Sequence, residues 1–256
     1  MILYTESTFI GIDPTAGQKP FVYAALNADL RLLALGRGEM NDVLAFVAGQ
    51  RQALVAVCAP RRPNQGVMED SAIRAQFSPP PRPGRWTGFR MAEYQLRQHN
   101  ISSPRTPPDE EDCPNWMRSG FALYRRLEGL GYSTYPQDSA SHMTIEVYPH
   151  ACYTVLLGQT PYPKYTLEGR LQRQLALHES KVNLPDPMRL FEEITRHRLL
   201  KGILPLDELY SPGELDALAA AYTACLAATA PQQVCALGHP EEGQIYLPVA
   251  DLKPRY

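Results

Sequence analysis

The run Ala53-Leu54-Val55-Ala56-Val57 constrains this chain more than any other segment: five consecutive apolar residues with no polar position on either side of the pleat. Side chains of a strand alternate between two faces, so an uninterrupted apolar strand has to be buried on both. A sheet covered by helices on its two faces provides that. The residues before it agree, because segment 40–48 carries apolar side chains at helical spacing, as expected of a helix crossing over to a central parallel strand. Cys58 stands at that strand's exit.

Upstream, segment 8–13 alternates, with Ile10 and Ile12 on one face and Phe9, Gly11 and Asp13 on the other, and Pro14 ends it. Apolar runs at 21–26 and 30–35 flank Asn27-Ala28-Asp29, which reads as a hairpin turn. Three antiparallel strands in a row are the expected result. Downstream, segment 144–148 alternates again, with Ile145 and Val147 on one face and Glu146 on the other, and Pro149 stops the strand. Ser211, Pro212 and Glu214 then spell a helix start: an N-cap, a proline at the first helical position and a capping-box glutamate. In that helix Leu215, Leu218, Tyr222 and Leu226 form the broad apolar stripe. Asp216, Ala219, Ala220 and Thr223 form an adjoining small-residue face suited to close approach to a sheet. Segment 244–249 reads as a short closing strand. The architecture expected is α/β: a mixed sheet, three antiparallel strands followed by parallel ones, with flanking helices, in one domain over 1–256.

Composition bounds the function classes. A 256-residue chain with 44% apolar residues has material for a sizeable core, and a net charge of -2 with a pI near 6.3 excludes a globally basic nucleic-acid binder. Any polyanion has to be held by a local basic surface. The richest such stretch is 61–97, where seven arginines face three acids, overlapping a proline-rich insertion at about 59–86. Five scattered cysteines without a C-x-x-C pair argue against a disulfide framework and a structural zinc site. With no apolar run of about 18 residues and no signal segment, the expected location is cytoplasmic, with no membrane contact. Phosphate-binding glycine loops and the Gly-x-Ser-x-Gly elbow are missing from the sequence.

Three acids remain that strand exits and a helix face can aim into one crevice: Asp13, Glu146 and Asp216. Convergent carboxylates repel unless a cation or proton intervenes, and Mg²⁺ or Mn²⁺ prefers such oxygen ligands. From spacing alone, each is more expected to be a surface or helix-start acid than a ligand, and both readings stay open.

The motifs Phe9-Ile10-Gly11-Ile12-Asp13, Arg90-Met91-Ala92-Glu93 to Leu96-Arg97, Ile145-Glu146-Val147-Tyr148-Pro149-His150, Lys164-Tyr165-Thr166-Leu167-Glu168-Gly169-Arg170 and Leu215-Asp216-Ala217-Leu218 stand in an order that resembles the domain-of-unknown-function family 429. Its members are commonly described as predicted nucleases with a ribonuclease H-like fold. The resemblance runs from about Thr8 to Pro248. It implies a metal-dependent nuclease in which Asp13, Glu146 and Asp216 are catalytic and bind Mg²⁺ or Mn²⁺, with nucleic acid as partner. It further implies that Arg90, Lys164 and Arg170 hold phosphate, and it sets Glu93, Arg97 and His150 beside the site. The family usually has an aspartate after the fourth strand, in an Asp-Ala-Pro-like run, whereas this chain has Val57-Cys58-Ala59-Pro60. A thiol is a poor ligand for hard Mg²⁺, so the resemblance implies an incomplete acidic site. Cys58 as a nucleophile, with a pKa lowered by Arg61 and Arg62, is a further reading, less expected than a small buried residue at a strand end. Two alternatives stand beside the nuclease: a non-catalytic nucleic-acid-binding module of the same fold, and a small-molecule phosphotransferase.

Overall fold

The computed structural model describes residues 7–15 and 20–256. Strands β1 (Thr8–Asp13), β2 (Phe21–Leu26) and β3 (Leu32–Gly38) form an antiparallel meander; α1 (Met40–Ala48) crosses over, and β4 (Ala53–Val57) lies parallel to β1. All five residues of β4 are buried. A long segment bearing α2 (Ser71–Arg74) and α3 (Met91–Gln98) leads to α4 (Asn115–Gly129), the two-residue β5 (Ser133–Thr134) and β6 (His142–Val147). Helices α5 (Pro149–Leu157), α6 (Leu167–Glu179), α7 (Arg189–Glu193) and α8 (Arg196–Leu200) precede the long α9 (Pro212–Thr229), and the hairpin of β7 (Cys235–His239) and β8 (Gly243–Leu247) follows.

The strand order is β3-β2-β1-β4-β6-β8-β7, with β5 paired to β6. Strands β1, β4, β6 and β8 run parallel. An antiparallel β3-β2-β1 edge continued by parallel strands between helices is a ribonuclease H-like topology. The pleat divides the core in two. Phe9, Leu54, Ala56, Cys58, Ile145 and Val147 pack toward α9, α5 and α6, whereas Ile10, Ile12, Val55 and Val57 pack toward α1 and α4.

Helix α9 departs from the stripe pattern expected of it. Thirteen of its eighteen residues are buried, so it is a core helix covered on all sides. Its close-packed face is Gly213, Ala217 and Ala221, turned by one residue from the expected set. A Cβ on Gly11 would stand 1.9 Å from the Ala217 carbonyl oxygen, and one on Gly213 would stand 3.2 Å from Val22 and 3.4 Å from an Asp13 carboxylate oxygen. Strand β1 and the first turns of α9 therefore touch backbone to backbone, and Asp216 is carried to the end of β1.

The hairpin is also longer than the turn Asn27-Ala28-Asp29 suggests. The Asn27 side-chain oxygen accepts from the amides of Asp29 and Arg31 at 3.0 and 2.9 Å, and Leu30 takes a left-handed φ of 57°. The third strand accordingly begins at Leu32. All five cysteines are free thiols. Among the described residues, no helix is long and apolar enough to cross a membrane.

Candidate functional site

The carboxyl ends of β1 and β4 open into a cavity of about 870 Å³, lined among others by Asp13, Cys58, Tyr148, His150, Lys164 and Asp216. Asp13 is the last residue of β1, and its carboxylate caps the Thr15 amide at 3.0 Å. Burial, and after it the charge of Asp216, push the Asp13 carboxyl up to about 6, against the pull of the Thr15 amide and Lys164. Asp216, in the second turn of α9, accepts a 2.6 Å hydrogen bond from the Lys164 ammonium. Burial works against the Lys164 charge, but the Asp216 carboxylate, its hydrogen bond and Asp13 outweigh it and hold that ammonium above the usual lysine range. The centre is thus two carboxylates sharing one lysine.

Cys58 completes the cluster without adding charge. Its thiol donates to the Asp216 carbonyl at 3.6 Å, and burial, followed by Asp13 and Asp216, pushes its pKa well above the usual range. This is the small buried residue at a strand end that sequence made the more expected reading, and the alternative of a thiol activated by arginine is not what the structure holds. Arg61 turns away: its guanidinium binds Glu128 at 2.6 Å and lies over the Tyr124 ring. A neutral, buried thiol is a poor nucleophile. His150, at the start of α5, is held below the usual histidine range by burial and then by Arg173, which favours its neutral form.

Glu146 is not part of this cluster. Its neighbours Ile145 and Val147 point toward α9, so the pleat sends Glu146 to the other face of the sheet. There Arg90 donates to both of its carboxylate oxygens, and the Arg61 amide donates to one of them. Glu93 lies beside the same arginine. It accepts from the Arg90 amide and from Thr106, and burial raises its pKa against the pull of Arg90 and Thr106. Glu242, absent from the sequence reading, accepts the amides of Gln65, Val67 and Met91 while fully buried. One of two adjacent glutamates in a turn, Pro240-Glu241-Glu242-Gly243, carries no sequence mark of that role.

The basic residues divide in the same way. Lys164 lines the cavity. Arg90 is enclosed with Glu146, and Arg97 donates to the Ser103 carbonyl and lies 4.6 Å over the Phe89 ring. Arg170 donates to the carbonyls of Tyr210, Leu206 and Leu209, fastening α6 to the segment before α9. Two further cationic residues line the cavity, Arg37 and Arg173. Among the described residues, no group of three or more His, Cys, Asp or Glu side chains is placed to hold a metal ion. The donor set at the cavity is therefore the Asp13 and Asp216 pair. A single Mg²⁺ or Mn²⁺ commonly binds through one or two carboxylates and takes its remaining ligands from water and substrate.

A ribonuclease H-like sheet with one acid at the exit of β1 and a second brought to it by α9 defines the class: an α/β protein with its crevice at the carboxyl ends of the strands. Within that class, the chain matches the family described as "Protein of unknown function (DUF429)" over residues 11–242 and belongs to it. No curated protein and no solved structure matches the chain.

Proposed function

We propose that this protein is a divalent-metal-dependent phosphodiester hydrolase acting on nucleic acid, with its centre at Asp13, Asp216 and Lys164. The observation that carries this reading is the convergence of two carboxylates, a half-buried Asp13 and a buried Asp216, and one ammonium on a single cavity at the strand exits. Asp13 and Asp216 would hold one Mg²⁺ or Mn²⁺, which when bound polarises a phosphoryl oxygen and makes bound water more acidic.

The protein's own groups have separate tasks. Asp13 gives up the proton that its raised pKa retains near pH 6. Lys164, no longer needed to neutralise Asp216, becomes available to a phosphate oxygen as a point charge. His150, neutral on the cavity wall, is able to accept a proton from water at neutral pH. Fold alone does not assign this activity, because one fold hosts many chemistries.

Calorimetric titration of Mn²⁺ into the wild type and Asp13→Asn, run beside cleavage assays on labelled single-stranded DNA and RNA, tests the proposal. One ion per wild-type chain, its loss in the variant and metal-dependent cleavage are expected. Equal, negligible heats in both proteins would remove the metal. A second reading, a binding module without catalysis, draws on Cys58, whose neutral thiol stands at the exit of β4 where an acid would serve a second ion. It predicts binding that weakens with salt, through counterion release, and no cleavage at any metal concentration.

A further inference from the structure

The loop Pro161-Tyr162-Pro163-Lys164-Tyr165 carries two tyrosines that the fold does not use for packing. Tyr162 is 58% exposed and Tyr165 is 79% exposed, and both line the cavity. Exposed side chains on a mobile loop would mean little, but this backbone is fixed from several directions. The Tyr162 amide donates to Gln172 at 2.8 Å and its carbonyl accepts from the buried Arg173 at 2.7 Å. The Pro163 carbonyl accepts from both the amide and the hydroxyl of Thr166, the N-cap of α6. Gly169 lies so close that a Cβ there would stand 1.9 Å from the Pro163 oxygen. Pro161 and Pro163 fix two φ angles besides.

Lys164 stands between the two tyrosines in the chain, and its ammonium reaches Asp216 at 2.6 Å and lies 5.4 Å from the centre of the Tyr165 ring. An aromatic, a cationic and an aromatic residue thus follow one another along a loop of fixed backbone, and all three line the cavity. Single-stranded nucleic acid presents the matching sequence of base, phosphate and base, and proteins that bind it combine cationic residues for the backbone with aromatic side chains on which bases stack. Rigid tyrosines offer that contact area with little loss of conformational freedom. A duplex, with its bases stacked on each other, has no free face to offer.

We infer that Tyr162 and Tyr165 are a base-stacking subsite that selects single-stranded nucleic acid and lays the phosphate between two bases at Lys164. This subsite rests on the reading of the cavity as a phosphodiester site, and binding measured apart from cleavage separates the two. The experiment is fluorescence anisotropy with a labelled dT12 strand, in EDTA and again with Ca²⁺ in place of Mn²⁺, on the wild type, Tyr162→Ala, Tyr165→Ala and Tyr165→Phe, with cleavage of the same strand followed separately in Mn²⁺. Each alanine variant is expected to bind about fivefold or more weakly, as loss of one stacked base implies, with Tyr165→Phe close to wild type. Thermal melting should be unchanged in all three, because the replaced rings are exposed. Wild-type affinity in both alanine variants, equal affinity for the corresponding duplex, or no strand binding by the wild type in either medium would each overturn the subsite. Weakened binding in the alanine variants with no cleavage by any protein would uphold the subsite and remove the hydrolase reading. Cleavage with unaltered binding would do the reverse.

Discussion

Glu146 and Arg90 form an ion pair on the sheet face opposite Asp13: one guanidinium nitrogen donates to both carboxylate oxygens at 2.8 and 3.0 Å, and the two side chains are 4% and 1% exposed. Burial opposes the Arg90 charge, and Glu146, Glu93 and Glu242 together hold its pKa above the usual value. Arg90 is therefore the counter-charge on which three buried carboxylates depend. Removing one partner of a buried pair leaves an uncompensated charge in a poorly solvated place. Arg90→Met should lose about 3–5 kcal/mol of unfolding free energy in urea titrations. Glu146→Gln, in contrast, should leave Mn²⁺ binding by the folded protein unchanged. A Glu146→Gln protein that folds normally and binds no metal would return that residue to the site.

The contact between Gly11 and Ala217 sets the distance between β1 and α9, and with it the distance between Asp13 and Asp216. A methyl group at position 11 meets backbone atoms of α9 at 1.9, 2.5 and 2.9 Å, and a backbone buried on both sides has no flexible end to give way. Gly11→Ala should cost about 3 kcal/mol, near the upper end for overpacking. Urea unfolding measures the loss, and a change under about 0.5 kcal/mol would show that the helix slides freely.

Much of this arrangement was legible before the structure. The apolar run of β4, the alternation of β1 and β6 and the capping box at Ser211 each follow from a local rule, and each appears where its rule places it. The same alternation that identifies β6 already separates Glu146 from Ile145 and Val147. What sequence does not contain is which elements cover the two faces of β6: Thr144 and Glu146, on its polar face, are buried as well as Ile145 and Val147 on the face toward α9. The rotation of α9 was hidden for a related reason: with alanine at 217, 219, 220, 221 and 224, no side defines a unique small-residue face, and the Gly11 contact decides. Strand β7 gives no period-two signal because it is a half-buried edge, held by its hairpin with β8. Arginines tied to backbone carbonyls, such as Arg170, look the same in sequence as arginines waiting for phosphate.

The acid pair also sets a pH dependence. The Asp13 carboxyl is raised from 3.8 to about 6 in the folded chain, so between those values the folded state binds more protons than the unfolded one. Stability contributed by this group is therefore present at low pH, falls as pH rises through the window and stays lost above it. Asp13→Asn should match the wild type near pH 4 and exceed it at pH 7 by on the order of 2 kcal/mol, in chelator. Urea midpoints at several pH values check this. Parallel curves for the two proteins would mean that Asp13 titrates as an ordinary surface acid.

Cys58→Asp asks how far the cavity stands from a two-ion site. The new carboxylate would join Asp13 and Asp216 on the α9 face of the sheet, where Lys164 is already shared between the other two. A third acid without a third partner raises repulsion in the metal-free protein, so the variant should melt below the wild type in chelator. Hard oxygen ligands in place of sulfur should then draw a second Mn²⁺, and ligand that binds only the folded state stabilises it by mass action. The expected result is a larger rise in melting temperature on adding Mn²⁺ than the wild type shows, with stoichiometry going from one ion to two by calorimetry. Equal Mn²⁺-induced shifts in the two proteins would mean that the end of β4 points its side chain out of the ions' reach, whichever residue stands there.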